Sequence, residues 1–187
     1  TTADAYRYFL SQDGLSERIA ETLVGLDVNN MHDLEARGSA IREMIVNAHL
    51  PADFEEEIKR GYRELCQKCG HDGDMVVAIR SSATAEDLPN ASFAGQQATF
   101  LNIKGEHDVV LSVKECIASL FTDRAIVYRV TNGFDHMKVA LSVGIQQMVA
   151  VRSECAGVMF TIDTESGFKN AVVVSSIYGL GENIVQG

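Results

Sequence analysis

The sequence has no tryptophan, only two prolines and only four cysteines in 187 residues. Four cysteines cannot staple a chain of this length, and two of them sit inside apolar runs. The reading is therefore a reducing, cytosolic setting and not a disulfide scaffold. Few prolines, with 46% hydrophobic and 22% charged residues, exclude a collagen-like, low-complexity or disordered chain. No apolar run approaches the roughly 20 residues of a bilayer span. The opening TTADAYRYFL has neither the basic nor the apolar stretch of a secretory leader. Positive charge is scarce as well: 16 Lys and Arg face 26 Asp and Glu, a formal net charge of −10. That balance argues against nucleic acid or an anionic membrane as partner. A few well-placed cations in a glycine-lined cleft can still hold a small anionic ligand.

What is present is enough for one ordinary domain or two small halves, with about 70% of the unfolded surface buried on folding. Residues 1–74 hold 8 basic and 15 acidic side chains, net −7, and residues 75–187 hold 8 and 11, net −3. The pattern changes at Asp72-Gly73-Asp74, so two regions are expected: a helical subdomain over 1–74 and an α+β region over 75–187. The chain opens without methionine and stops after the glycine-rich GLGENIVQG, which reads as a fragment of something longer.

In the first region, Thr1 or Thr2 can cap a helix whose Ala5, Tyr8 and Phe9 share a face, stopped by Asp13-Gly14. Leu15, Ile19, Leu23 and Leu26 line a second helix. Leu34, Ile41, Ile45 and Ala48 line a third, interrupted near Gly38-Ser39. Pro51 opens a fourth, with Phe54, Ile58, Tyr62 and Leu65 as its buried stripe and Gly70 as its end. In the second region, MVVAI (75–79) reads as a strand buried on both faces and ending at Arg80. A polar stretch follows, and then FAGQQATFLNI, a strand or hairpin. Val109, Val113, Cys116, Ile117 and Leu120 form a helix, and Asp123 caps the next, over 124–132. Strand-like runs occupy 139–149, 156–162 and 171–177, the last two joined by a turn at Asp163–Gly167 as in an antiparallel meander. The fold class is α+β.

Arg80, followed by Ser81, Ser82 and Thr84, can meet a phosphate through charge-assisted hydrogen bonds. A solvated loop with one capped turn explains the same residues. Phe93-Ala94-Gly95-Gln96-Gln97 can bring backbone N–H groups close to a ligand, or can be a bulge or hairpin. Gly179-Leu180-Gly181-Glu182 follows a strand and can build a nucleotide corner, without the full GxGxxG spacing. Cys66-Gln67-Lys68-Cys69 with His71 offers part of a zinc set, but no second Cys or His pair follows at usable spacing, so core packing is the default and no metal site is assigned. None of the five histidines neighbours a serine or cysteine in a nucleophile-like setting.

Five ordered strings are more specific than any of these. VAIRSSATAEDLPNASFAGQQATFLNI, SLFTDRAIVYR, GFDHMKVALSVGIQQMV, AGVMFTIDTESGF and YGLGENIVQG resemble the N-terminal nucleotide-binding domain of the phosphoenolpyruvate synthase (pyruvate, water dikinase) family. That domain is an ATP-grasp fold shared with pyruvate phosphate dikinase, rifampin phosphotransferase and the plant glucan water dikinases. The resemblance is dense over 75–187 and includes TTADAYRYFL. It implies ATP and Mg²⁺ as cofactors, with phosphates passed to a histidine on a separate domain and then to pyruvate on a barrel domain of the same polypeptide. Carried over by motif, Arg80 contacts the ATP phosphates, Gly95 and Thr99 line a phosphate-covering loop, Gln146 faces the adenosine, and Glu182 is a nucleotide-site carboxylate. The family's upstream lysine, its downstream magnesium-binding acids and its phosphocarrier histidine motif do not occur in this sequence, so no catalytic residue is assigned and the fragment alone is expected to be inactive. A related dikinase or antibiotic phosphotransferase, or a non-catalytic binding module, are the rival readings.

Overall fold

Residues 1–84, 87–88, 91–92, 98–148, 155–179, 181 and 184 are described by the structure, a computed structural model. They fall into two units, Thr1–Gln147 and Met148–Gly187. The first unit begins with helices α1 (Ala3–Leu10), α2 (Leu15–Leu23), α3 (Met31–Asn47) and α4 (Ala52–Lys68). Strand β1 (Val76–Ala83), the short pair β2 (Asp87–Leu88) and β3 (Ala91–Ser92), and β4 (Thr99–Lys104) follow. Helices α5 (Glu106–Ala118) and α6 (Asp123–Thr131) and strand β5 (Leu141–Gln147) complete it. The second unit contains the antiparallel pair β6 (Cys155–Phe160) and β7 (Val173–Tyr178). The chain is α+β. No helix among the described residues is long and apolar enough to cross a membrane.

Side-chain caps start three helices, each satisfying an N–H that the first turn leaves without a partner. Thr2 accepts from the Ala5 N–H, Asn30 from Asp33 and Thr122 from Ala125. The sequence predicts Asp123 as the last of these caps. Asp123 is instead the first helical residue, 3.4 Å from the Arg42 guanidinium. On α1 the buried stripe is Tyr6, Phe9 and Leu10. Tyr8, expected to share it, is exposed and donates to the Asp53 carboxylate. Leu26 lies beyond the end of α2.

Helix α3 runs unbroken through Gly38-Ser39, where an interruption was expected. Gly38 is there for closeness, not for flexibility. A Cβ at this position would lie 2.8 Å from Asp123 Oδ1, 3.0 Å from Arg42 Nη1 and 3.3 Å from the Phe121 carbonyl oxygen. Arg42 donates to that carbonyl at 2.8 Å, so the glycine lets α3 seat against the start of α6.

Strand β1 also outruns its prediction. It continues past Arg80 to Ala83 because β5 pairs with every residue from Val77 to Ala83, and those ladder bonds override the polar composition of Ser81-Ser82. The sheet order is β4-β1-β5, with both pairings antiparallel. Helix α5 packs against α3 and α4 and against all three strands. Val77 and Ile79 are fully buried, and each contributes about 1.5–3 kcal/mol of hydrophobic stabilisation. In the second unit the Asp163 N–H donates to Phe168 O and the Gly167 N–H to Asp163 O, forming the turn expected between the strands.

Among the described residues, no carboxylate pairs with the buried Arg129. Arg129 is fully buried, donates to Leu120 O at 2.6 Å and to His136 Nδ1 at 2.9 Å, and stacks 5.2 Å from the centre of the Phe121 ring. As an acceptor, His136 must be neutral. Burial, and then the neighbouring guanidinium, lower its pKa to about 4.

Two outcomes follow. Gly38→Ala should cost about 1–3 kcal/mol by overpacking, despite alanine's better helix propensity, as read by urea unfolding of Thr1–Gly187. His136 binds protons in the unfolded chain below its ordinary value of about 6.5 but resists them in the folded chain down to about 4. Its contribution is therefore complete above that ordinary value and is lost as pH falls toward the lower one. With solvent screening, about 1–2 kcal/mol should disappear over this window. In His136→Asn, whose amide oxygen accepts from Arg129 at every pH, that part of the pH profile should be flat.

Candidate functional site

Successive residues of a strand point to opposite faces, and directly opposed residues on paired strands share one. On β1, Val77, Ile79 and Ala83 are buried in the core, and Ser81 is turned to the same side, hydrogen-bonded with Cys116. Burial raises that thiol's pKa to about 12, so Cys116 is an inert neutral partner. Ala78, Arg80 and Ser82 lie on the other face, where Arg80 and Ser82 are exposed.

The register determines what joins them. Arg80 stands opposite Thr99 on β4 and Gly144 on β5; Ala78 stands opposite Gln146, and Ser82 opposite Ser142. Thr99, Gly144 and Gln146 are all exposed. Arg80 and Thr99 are direct cross-strand neighbours, and Gln146 is on the diagonal from Arg80, about 7–8 Å away at the backbone. Gly144 puts no side chain beside the guanidinium, and a Cβ there would meet nothing nearer than the Arg80 carbonyl at 3.8 Å.

A β-bulge brings Thr99 to this face. Val77 pairs with Ile103 but Ile79 pairs with Phe100, so β4 spends one residue more than β1 between the two pairs. Asn102 takes the left-handed conformation there, φ 60°. Were the same residues paired one-to-one from Val77–Ile103 onward, Phe100 would oppose Arg80 and Thr99 would oppose Ser81 and face the core.

The structure thus places three of the five sequence-derived site residues, Arg80, Thr99 and Gln146, on one exposed sheet face. Gly95 and Glu182 lie outside the described residues. The hydroxyls after Arg80 are dispersed: Ser82 stays on its face, Ser81 turns inward, and Thr84 Oγ1 accepts from the Ala140 N–H at 3.1 Å. Sequence reasoning missed Gly144 and Lys104. The period-two spacing Ser142, Gly144, Gln146 was the available signal for the first. Lys104, opposite Val76, brings a second positive charge to the face, about 13 Å from Arg80 at the rise of an extended strand. Strands β1, β4 and β5 carry no carboxylate. Cations, hydroxyls and an amide without acids suit the oxygens of an anionic ligand.

The Cys66–Cys69 pair does a different job. Cys66 is buried in the core, and Cys69 Sγ donates to Gln147 Oε1 at 3.2 Å, linking the end of α4 to the end of β5. Among the described residues no three His, Cys, Asp or Glu side chains gather to hold a metal.

The family model described as "Pyruvate phosphate dikinase, AMP/ATP-binding domain" matches residues 1–187. The chain is 54% identical over 187 residues to phosphoenolpyruvate synthase of Pseudomonas aeruginosa, covering 100% of this chain and 23% of that protein. It is 53% identical over 186 residues to phosphoenolpyruvate synthase of Helicobacter pylori, with the same coverage. It is 50% identical to a probable phosphoenolpyruvate synthase of Methanocaldococcus jannaschii, of which it spans 15%. The chain therefore corresponds to under a quarter of the curated relatives it matches.

If the two cysteines serve packing, metal analysis of purified protein should find well under one zinc per chain, and Cys66→Ser with Cys69→Ser should fold with a loss of about 1–3 kcal/mol. One tightly bound zinc per chain would overturn that assignment.

Proposed function

The chain belongs to the pyruvate phosphate dikinase AMP/ATP-binding domain family, whose model covers all of it, and from that premise we propose that the open β4-β1-β5 face binds ATP. One observation carries the reading: the strand register gathers Arg80, Thr99, Gly144 and Gln146 on a single exposed face, formed by three strands that carry no carboxylate. Arg80 binds phosphate oxygens through its planar fork, and the Thr99 hydroxyl beside it adds a donor. Gln146, two residues along β5 from the gap at Gly144, meets the adenosine. By the family resemblance alone we assign Gly95 to the phosphates and Glu182 to the nucleotide, both outside the described residues. The domain is an ATP-grasp fold, with 1–74 as its helical part.

Strands β1, β4 and β5 offer no carboxylate to a magnesium ion, whose ligands are oxygens, acids above all. In the longer protein the reaction is that of phosphoenolpyruvate synthase. The terminal pyrophosphoryl group of ATP passes to a histidine on another domain with release of AMP, water removes its outer phosphate, and the remaining phosphoryl group passes to pyruvate on a barrel domain. The part of this domain is to hold and orient the nucleotide, since phosphoryl transfer depends chiefly on positioning and charge neutralisation.

A charge-assisted hydrogen bond to phosphate is worth about 1.5–3 kcal/mol. Arg80→Ala in the full-length enzyme should therefore lower kcat/KM for ATP by about ten- to a hundredfold or more. Arg80→Lys should restore little, because a point charge does not replace the fork. Steady-state kinetics in ATP decide it, and wild-type values for both variants would remove Arg80 from the site.

A further inference from the structure

Two free thiols stand one turn apart at the end of α4. Cys66 is buried in the last turn, and the half-buried Cys69 caps it at φ −89° and ψ 5°. The Gly70 N–H donates to Gln67 O and the His71 N–H to Cys66 O, with Gly70 left-handed at φ 73°. This is the Schellman ending of a helix, and it fixes the two cysteines at either end of a single turn. Residues three apart in a helix have Cα atoms about 5 Å apart. A disulfide spans roughly 4.4–6.8 Å between Cα atoms, so the backbone already brings this pair within reach.

Each thiol also touches a tie between α4 and the sheet. Cys69 Sγ donates to Gln147 Oε1 at 3.2 Å. Cys66 lies beside the Tyr62 hydroxyl, which joins Met75 to Gly105. The two ties meet at one end of the sheet, because Val77 stands opposite Gln147 and Ala78 opposite Gln146. Cys66 lines a cavity of about 450 Å³ with Arg63, Gly70 and His71, so its sulfur has room to move. On the outer edge of β5, Val143 exchanges backbone bonds with Thr1. By the alternation of an antiparallel ladder, Gly144 and Gln146 therefore bond to β1.

We propose that Cys66 and Cys69 form a peroxide-sensitive modification site, whose disulfide loosens the end of β5 that carries Gln146. The less buried Cys69, as thiolate, attacks one oxygen of hydrogen peroxide. The O–O bond breaks, leaving a sulfenic acid on Cys69 and a hydroxide that takes up the proton Cys69 lost. The Cys66 sulfur then attacks the sulfenic sulfur. An S–S bond forms, the S–O bond breaks, and the hydroxyl leaves with the Cys66 proton as water. Two thiols and one peroxide thus give one disulfide and two waters. The disulfide has no S–H, so Gln147 loses its bond to α4. The Cβ atoms of such a helical pair start about 5–6 Å apart, and a disulfide holds them at about 4 Å. Closing the bridge therefore reshapes the last turn of α4 and shifts Cys66 against Tyr62. Only the consequence for adenosine rests on the function proposed above; the bridge and its effect on β5 do not.

The test treats reduced full-length enzyme with hydrogen peroxide, alkylates the remaining thiols and maps the peptides by mass spectrometry. The segment holding Cys66 and Cys69 should lose two hydrogens and escape alkylation, and dithiothreitol should restore both thiols. In the oxidised enzyme, hydrogen exchange at the Gln146 amide should rise at least about threefold and return on reduction, with Gly144 unchanged. In Cys69→Ser, whose hydroxyl still donates to Gln147, peroxide should leave exchange at Gln146 where it was. Alkylation of both cysteines after peroxide overturns the proposal. So does a bridge that leaves Gln146 unaltered, or a Cys69→Ser variant that responds as the unmodified enzyme does. KM for ATP, measured in parallel, should rise on oxidation if Gln146 meets the adenosine. A bridge that loosens Gln146 with KM unchanged supports the modification site and removes Gln146 from the nucleotide.

Discussion

Strand β1 is paired on both edges, and the period-two alternation along it makes core and site inseparable. Val77 and Ile79 are fully buried, while Arg80, one residue on, is exposed. A slip of one residue would expose the two aliphatic side chains and drive the guanidinium among α5 and its neighbours. An unpaired charge in that position costs several kcal/mol. The apolar face of β1 therefore sets the register, and the register assembles the opposite face. Nothing on that face needs to specify its own position.

The helices hold β1 at its start. The Tyr62 hydroxyl, on α4, donates to Met75 O at 2.6 Å and accepts from the Gly105 N–H at 3.1 Å. One buried phenol thus joins the entrance of β1 to the entrance of α5. Burial keeps its pKa above the ordinary tyrosine value, so it remains a donor across the physiological range. With the Ser81–Cys116 contact midway along the strand, β1 is tied to the helical layer at two levels. Site residues carried on such a strand are more sharply placed than residues on a loop.

How much of this was legible depended on the range of the forces involved. The stripes of α2, α3 and α4 stand where Ile19, Ile41, Ile45, Phe54, Ile58 and Tyr62 placed them, because a buried helix face is written at local spacing. Tyr8 misled because its ring satisfies the same spacing, while its hydroxyl has a better partner in Asp53 than the core offers. Gly38 reads locally as a breaker, and only the approach of Phe121 and Asp123, more than eighty residues away, reveals its purpose. The continuation of β1 through Ser81-Ser82 is set by β5 in the same non-local manner. Arg80 was visible as a cation after an apolar run, but its union with Thr99 requires the bulge at Asn102. No spacing rule announces a bulge.

A net charge of −10 does not by itself oppose the binding of a small anion. Charge acts locally. Exposed charges separated by more than about 8 Å are largely screened at physiological ionic strength. Much of the acid of α4 is also compensated on the spot: Lys59 pairs with Glu55 at 2.5 Å, Arg60 with Glu57 at 2.6 Å, and Arg63 with both Glu56 and Glu106. The strands beneath the open face bring Arg80 and Lys104 and no carboxylate. A long polyanion must pass over the acidic remainder of the surface and is repelled by it. A small anion over these strands meets Arg80 and Lys104 and no carboxylate among the strand residues. The same charge distribution that argues against nucleic acid is therefore compatible with a small phosphate ligand, and favours it over larger competitors.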